Sequence, residues 1–204
     1  MLVIFLQALG WAVFLAGSIA LGTWLRKNPS KQNAEKTSRV LHFLYWVGAG
    51  LGIMGIFYPG LTHYDELVGI ASLPFRPGAL VLGALLLLAG TYFTVASQIA
   101  LRRLGDGANA FRLTKRLVAG NIYHRMRNPM SLGFYLNCVG LGLVAGSTYL
   151  TLGSLLGVIP THVFYLKTFE ELELALRLGQ PYVQYKQRVP FLIPRLTARK
   201  TRDG

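Results

Sequence analysis

Two polar segments of this 204-residue chain, 101–129 and 167–196, hold most of the side chains that could do chemistry. Glu170 lies about one helical turn beyond a charge-free apolar run. An unpaired carboxylate in that position is costly, so Glu170 is expected to face a cationic partner or ligand. Glu173 and Arg177 have the spacing of an exposed i, i+4 pair, and a solvated helix face accounts for Glu173.

Other reactive residue types form no chemical pattern. His42, His63 and His162 lie on different predicted spans and loops and lack the spacing of shared ligands, so no metal site is predicted. The single cysteine, Cys138, lies in an apolar run and is expected to pack rather than react. His124 is the imidazole nearest the polar segments, but in a basic loop it is expected to be a bystander. The sequence therefore assigns no catalytic residue.

Charge-free runs indicate which elements position these segments. Leu2–Leu25, Val40–Thr62 and Pro77–Leu101 are each long enough for one bilayer crossing, which needs about 20 helical residues. The first run lacks the positive start of a cleaved signal and is too long for one. Asn128–Leu166 would form a helix nearly twice as long as the bilayer core is thick, so it is predicted to be a hairpin that turns at Ala145–Thr148. The chain is therefore predicted to be an all-α integral membrane protein with five transmembrane helices.

The basic residues predict the orientation of these helices. Hydrophobic residues make up 52% of the chain and charged residues 14%, with a net charge of +13. All but one of the 21 Lys and Arg residues fall in the loops 26–39 and 102–127 or in the tail from Lys167 onward, and Arg76 is the exception. The positive-inside rule then predicts an N-terminus outside and a C-terminus in the cytoplasm, in the inner membrane if the chain is prokaryotic. The positive charge is explained by this topology and by the bilayer as a partner, without a nucleic acid.

A set of motifs begins where the third loop meets the fourth run. Residues 120–130 read GNIYHRMRNPM, and they are followed by Glu170-Glu171, by GQPYVQY at 179–185 and by RVP at 188–190. In order and spacing these motifs resemble the isoprenylcysteine carboxyl methyltransferase and phospholipid (phosphatidylethanolamine) methyltransferase superfamily of integral membrane enzymes. The resemblance covers roughly 101–196, and the first two spans contribute little to it.

The resemblance implies an S-adenosylmethionine-dependent methyltransferase with a lipid or other hydrophobic acceptor that arrives from the bilayer. The charge-free runs predict three N-terminal transmembrane helices in residues 1–100, and the resemblance implies a methyltransferase core in 101–204. In this core a cytosolic loop, the helical hairpin 128–166 and an amphipathic C-terminal tail would form the cofactor site. The residues implied to bind the donor are Lys115, Arg116, Leu117, Val118, Tyr123, Arg127, Asn128, Pro129, Met130, Ser131 and Glu170.

The residue chemistry agrees with that donor. A carboxylate suits its ammonium group or ribose hydroxyls, and free N–H groups at a helix N-terminus suit its carboxylate. No Gly-x-Gly-x-x-Gly follows a predicted strand, so a Rossmann-type donor site is excluded.

Three positions depart from the prenylcysteine branch of the superfamily. Asn128 replaces a histidine, Ser131 stands where a tyrosine is common, and Leu166 replaces an arginine that faces the acceptor. Leu166 and Lys167 are the implied acceptor-binding residues, and only Lys167 could supply a cation to a prenylcysteine carboxylate. The expected acceptor is therefore a lipid amine or another small hydrophobic molecule, with prenylcysteine as the alternative.

Two other classes of protein stay open at this point. One is a non-enzymatic membrane scaffold or transporter subunit, although a transporter usually carries ionisable residues within its spans and the charge-free runs of this chain hold no Asp, Glu, Lys or Arg. The other is a sterol-type reductase, which would use a nicotinamide cofactor. Stabilisation by S-adenosylhomocysteine, but not by a dinucleotide, would separate a methyltransferase from both.

Overall fold

The computed structural model describes residues 1–55, 60–105 and 113–194, and within them the fold is all-α. The apolar runs form the long helices and the polar segments form short ones. In chain order the first helices are α1 (Leu2–Lys27), α2 (Lys31–Gly55), α3 (Tyr64–Val68), α4 (Arg76–Leu104), a 3₁₀ turn (Asn121–His124) and α5 (Pro129–Ala145). They are followed by α6 (Thr148–Gly153), α7 (Ile159–Tyr165), α8 (Glu171–Leu178) and α9 (Gln180–Arg188).

The segments α6, α7 and α8 form one long helix. Two π-helical turns, Ser154–Val158 and Leu166–Glu170, join them without a break from Thr148 to Leu178. The helix ends at Gly179, whose φ of 67° is a conformation that favours glycine. The amphipathic segment after Lys167 therefore continues the last apolar helix rather than standing apart from it.

The protein is an integral membrane protein. Among the described residues, three helices are long and apolar enough to cross a bilayer: α1, α4 and the long helix Thr148–Leu178. The helix α5 is apolar but shorter. Large apolar side chains such as Leu88 (71% exposed) cover the outside of α4, as expected for a surface that faces lipid. Residues 56–59 of the second predicted crossing lie outside the described residues, so the count of five crossings stays a prediction.

The alternating helix directions give the bundle two ends. We call one the site end, where α1, α4 and the long helix finish and where α2 and α5 begin. The other is the turn end, which holds α3 and the turn at Gly146 and Ser147, where the sequence predicts it. Arg76 begins α4 at the turn end, and the other Lys and Arg residues of the described part of the chain lie on segments at the site end.

Four glycines allow α4 and α5 to pack with their backbones in contact. Gly83 lies against Gly140, and Gly90 lies against Gly133 one heptad away. A Cβ on Gly83 would lie 2.9 Å from the Gly140 carbonyl oxygen, and one on Gly90 would lie 2.8 Å from that of Gly133. Such close approach through small residues is how helices associate in lipid.

At the turn end, Asp65 fixes the start of the long helix. Its carboxylate accepts hydrogen bonds from the Ser147 hydroxyl (2.9 Å) and from the backbone N–H groups of Thr148 (2.9 Å) and Tyr149 (2.8 Å). Burial alone would raise the pKa of the Asp65 carboxyl, but these hydrogen bonds hold the pKa below its ordinary value. The anion at a helix N-terminus also interacts favourably with the helix dipole.

The main core lies between α1, α2 and the long helix. Phe14, Leu25, Leu41 and Phe169 are fully buried there, and Leu166 is 3% exposed beside them. This packing fixes the long helix against α1 and α2 at the site end.

Candidate functional site

The C-terminal tail folds back onto the segment that precedes α5. The N–H of Arg127 donates to the Pro190 carbonyl (2.9 Å), and the side-chain amide of Asn128 donates to the Phe191 carbonyl (3.0 Å). The Tyr185 hydroxyl donates to the Tyr123 carbonyl (2.7 Å). The two polar segments that the sequence singles out therefore meet at the site end.

An ionic contact reinforces this meeting. The carboxylate of Glu171 lies 2.5 Å from Nη1 of Arg127, which comes from the segment before α5, and 2.6 Å from Nζ of Lys186 on α9. Arg127 and Glu171 are both largely buried, at 11% and 12% side-chain exposure. Because a buried pair is far less screened than a surface one, it helps to hold the three segments together.

The prediction of a solvated Glu173 is wrong. The i, i+4 ion pair with Arg177 is present, but Glu173 is only 2% exposed. The same guanidinium donates from Nη1 to the Thr114 carbonyl (2.5 Å), so the loop before the 3₁₀ turn covers this helix face. The spacing of the pair was predicted correctly, and its exposure was not, because a distant loop decides it.

A cavity of about 440 Å³ opens between these elements. It lies within the usual range for a small-molecule site, roughly 300–1,000 Å³. From the site end it reaches inward to His162, which lies two turns of helix before Glu170. Charged groups line the outer part and aromatic groups the inner part. Its lining includes Ser38, His42, Tyr45, Trp46, Thr94, Gln98, Leu101, Thr114, Arg116, Leu117, Val118, Tyr123, Arg127, Asn128, Met130, Ser131, Phe134, Asn137, His162, Tyr165, Leu166, Glu170, Glu173, Arg177, Tyr182 and Tyr185.

Glu170 is the carboxylate of the cavity that lacks a partner within the structure. Glu171 is paired with Arg127 and Lys186, and Glu173 with Arg177. Within 1–55, 60–105 and 113–194, no hydrogen bond or ion pair forms to the Glu170 side chain. A carboxylate that faces a cavity beside two others is suited to a ligand with a positive charge or with hydroxyl donors.

The start of α5 offers the opposite polarity. Pro129 at the first helical position has no N–H, and Asn128 donates to the tail instead of capping the helix. The N–H groups of Met130 and Ser131 have no acceptor among the described residues, and both residues line the cavity. A helix N-terminus with free N–H groups favours an anionic group.

Three tyrosines close the cavity on the side of the tail. Burial raises the pKa of the Tyr123, Tyr182 and Tyr185 phenols, so all three are neutral hydrogen-bond donors at physiological pH. Their rings supply flat apolar surfaces beside the charged corner.

Most residues implied to bind the donor meet at this cavity. Ten of the predicted donor and acceptor residues line it: Arg116, Leu117, Val118, Tyr123, Arg127, Asn128, Met130, Ser131, Leu166 and Glu170. The other three predicted residues do not line it. Lys115 is exposed, Pro129 is buried at the first position of α5, and the Lys167 ammonium lies over the Phe191 ring, 5.1 Å from its centroid.

The sequence reasoning missed His162. This residue is 7% exposed and lines the inner end of the cavity, where its Nδ1 lies 2.9 Å from the Tyr135 hydroxyl. Its only signal in the sequence is that a polar residue inside an apolar span requires a polar partner. Among the described residues, no group of His, Cys, Asp and Glu is arranged as a metal site.

Comparison with known proteins relates the chain to integral membrane methyltransferases. Residues 79–179, about half of the chain, match the phospholipid methyltransferase family. Over 84 residues the chain is 34% identical to methanethiol S-methyltransferase 2 of Bradyrhizobium diazoefficiens. That match covers 40% of this chain and only 30% of the relative. Both matches support a relationship to the membrane methyltransferase superfamily that includes the phospholipid methyltransferases. No solved structure matches it.

Proposed function

We propose that the protein uses S-adenosylmethionine as its methyl donor, binds it in the cavity at the site end and methylates a lipid or another small hydrophobic acceptor. In this proposal the chain crosses the membrane five times, with the N-terminus outside and the site end in the cytoplasm. The distribution of Lys and Arg supports this orientation, because basic residues are retained on the cytoplasmic side. Residues 101–204 act as the methyltransferase core, with walls contributed by α2 and α4.

The observation that carries the proposal is the unpartnered Glu170 in the same cavity as the free N–H groups of α5. The donor carries an amino-acid group with an ammonium and a carboxylate, and these require a carboxylate and N–H donors respectively. Glu170 and the N–H groups of Met130 and Ser131 supply them. Charge-assisted hydrogen bonds of this kind are stronger than hydrogen bonds between neutral groups, so they can replace the water that solvates the charged groups of the donor.

The remaining donor-binding residues act through shape and apolar contact. Leu117 and Val118 present backbone and apolar surface, and Tyr123 presents a ring for the nucleoside. Arg127 and Asn128 position the start of α5 through their contacts with Glu171 and the tail. Lys115 and Arg116 come from the same covering loop, where Arg116 reaches the cavity and Lys115 is exposed.

The donor supplies a methyl group on an activated sulfonium, so this chain has to supply position and dryness. The tail, α9 and the loop at 113–118 cover the cavity from the site end. This cover excludes water from the reacting groups.

A side opening supports access of the acceptor from the bilayer. A second hollow of about 340 Å³ lies beside the main cavity, and the two share His42, Trp46 and Leu113. The other residues that line it are Arg39 and Phe43. Phe43 is 68% exposed on the outer face of α2. An acceptor that is dissolved in lipid can reach the cavity along this face of α2.

The wall next to the acceptor supports an uncharged molecule. Leu166 is 3% exposed and packs into the apolar core, and the Lys167 ammonium lies outside the cavity. Arg127 and Arg177 are already paired with glutamates. A prenylcysteine carboxylate would therefore have to displace an existing ion pair. The phospholipid family and the thiol substrate in the relative's name are both consistent with an amine or thiol acceptor.

The test is labelled methyl transfer by the detergent-purified protein, incubated with S-adenosylmethionine and a total lipid extract, phosphatidylethanolamine, a prenylcysteine or a short alkyl thiol. The expected result is label on a lipid or small hydrophobic acceptor, and thermal stabilisation by S-adenosylhomocysteine. Stabilisation by a dinucleotide, with no response to S-adenosylhomocysteine, would instead favour a reductase and refute the proposal.

A further inference from the structure

The inner end of the cavity holds a polar pair that donor binding does not require. The His162 imidazole and the Tyr135 hydroxyl lie 2.9 Å apart, on the two arms of the hairpin, and both are buried. Tyr135 engages Nδ1, and Nε2 has no hydrogen-bond partner among the described residues. Because His162 lines the cavity, Nε2 is the nitrogen left for a ligand.

The surroundings of His162 hold the ring in place without giving it a charge partner. Phe14 of α1 stacks on it (centroids 6.5 Å apart), Tyr45 of α2 lies 5.1 Å away, and Tyr165 stacks from its own helix at 5.7 Å. The titratable groups in ring contact with it are Tyr45, Tyr135 and Tyr165. These groups are uncharged, and their packing fixes the orientation of the imidazole ring.

We infer that His162, oriented by Tyr135, accepts the proton of the methyl acceptor, and that the acceptor is a small apolar thiol. The inference rests on the proposed function and names its substrate class. A neutral imidazole whose Nδ1–H donates to the Tyr135 oxygen presents the Nε2 lone pair to the cavity, as a general base requires. A carboxylate acceptor would need no such base.

The chemistry of the inner end favours sulfur over nitrogen. An amine is an ammonium at neutral pH, and no carboxylate of the described chain lies in the ring of groups around His162. A thiol is neutral at that pH and makes favourable contacts with aromatic rings such as those of Tyr45 and Phe134. An uncharged thiol can therefore occupy this end at low cost of desolvation.

The proposed step balances as follows. The thiol S–H bond breaks and its proton goes to Nε2 of His162, while the thiol sulfur forms a bond to the methyl carbon. The bond between that carbon and the sulfonium sulfur breaks, and its electron pair stays on the donor sulfur. The products are a methyl thioether, the neutral thioether form of the donor and an imidazolium, which returns its proton to water.

The test is the pH profile of methyl transfer to a short alkyl thiol. Wild type should be nearly independent of pH from pH 7 upward, because the base is already neutral there. His162→Gln should lose about 10²-fold in rate at pH 7, the usual contribution of a general base. Its rate should then rise about tenfold per pH unit and approach the wild-type rate near the thiol pKa, where thiolate is present without help.

Two further variants separate chemistry from packing. Tyr135→Phe keeps the ring and removes the hydroxyl that orients Nδ1, so it should shift the profile in the same direction by a smaller factor. His63→Gln, an exposed histidine at the turn end, should leave the profile unchanged. S-adenosylhomocysteine binding should be equal in all four proteins, because the pair lies beyond the donor site.

Three results would overturn the inference. The first is a His162→Gln rate lowered by the same factor at every pH, which would mean that the residue only packs. The second is a wild-type protein that binds the donor but methylates no thiol, including the case in which it methylates only amines. The third is no binding of S-adenosylhomocysteine by wild type, in which case the proposed function falls first and the inference falls with it.

Discussion

Replacing Glu170 by Gln should abolish most of the donor affinity while leaving the ligand-free protein folded. Glu170 has no partner among the described residues, so replacing its carboxyl group by an amide breaks no contact in the ligand-free protein. The loss of one charge-assisted hydrogen bond to the ligand costs about 1.5–3 kcal/mol, which weakens binding about 10- to 150-fold.

A thermal shift measures this loss directly. At about 100 times the wild-type dissociation constant, S-adenosylhomocysteine should stabilise wild type by about 2.7 kcal/mol. A variant that binds 100-fold more weakly gains only about 0.4 kcal/mol at the same concentration. For a domain of this size the wild-type gain corresponds to a rise in Tm of about 5–10 °C, and the variant gain to about 1–2 °C.

Replacing Glu173 by Gln should lower the Tm of the ligand-free protein instead of weakening donor binding. Glu173 is 2% exposed and neutralises Arg177, whose guanidinium also holds the loop at Thr114. Breaking a buried pair by removing one partner costs about 3–5 kcal/mol, so Tm should fall before any ligand is added. The matched control is Glu66→Gln, an exposed carboxylate at the turn end, which should change neither quantity. Equal ligand-induced shifts in wild type and Glu170→Gln would refute the separation of a ligand carboxylate from a structural one.

Two further predictions concern the frame that carries the site. Gly83→Ala should lower the free energy of unfolding by about 1–3 kcal/mol, because its Cβ would lie 2.9 Å from the Gly140 carbonyl oxygen. Chemical denaturation would measure this loss, with Gly153→Ala as the control because Gly153 has open space around it. Equal stability of the two variants would contradict backbone contact between α4 and α5. Asp65→Asn should cost about 1.5–3 kcal/mol at pH 7 in the same assay, because the carboxylate accepts charge-assisted hydrogen bonds. The pKa of Asp65 is lowered from 3.8, so its stabilisation is present above that pH and is lost as the pH falls through the folded-state value, whereas the stability of Asp65→Asn should lack this component.

Apolar runs and loop-forming residues are strong local signals, and they predicted the hairpin well. The turn at Gly146 could be placed because the small polar residues of 145–148 interrupt an apolar pattern that continues on both sides. Gly146 adopts a φ of 67°, and the following Ser147 caps the next helix by accepting a hydrogen bond from the Leu150 N–H. In such a segment the local sequence determines the structure.

The exposure of Glu173 was mispredicted because it depends on a contact distant in sequence. The i, i+4 spacing to Arg177 is the same in a surface pair and in a buried one, and only the loop at Thr114 distinguishes them. One clue was nevertheless present. Residues three apart share a helix face, so an assignment of Glu170 to a site also places Glu173 there.

The same helical periodicity places the proposed donor-binding carboxylate and the proposed base on one face of the long helix. His162, Leu166, Glu170, Glu173 and Arg177 follow one another at intervals of four, four, three and four residues, so they form one stripe along the long helix. At about 1.5 Å per residue, the backbone positions of His162 and Glu170 are about 12 Å apart along the helix axis, with Leu166 between them. The carboxylate end can hold a charged cofactor near water, and the imidazole end can hold a neutral acceptor at the depth of the bilayer. In the proposed reaction, this helix would set the separation of donor and acceptor, because it is continuous from Thr148 to Leu178.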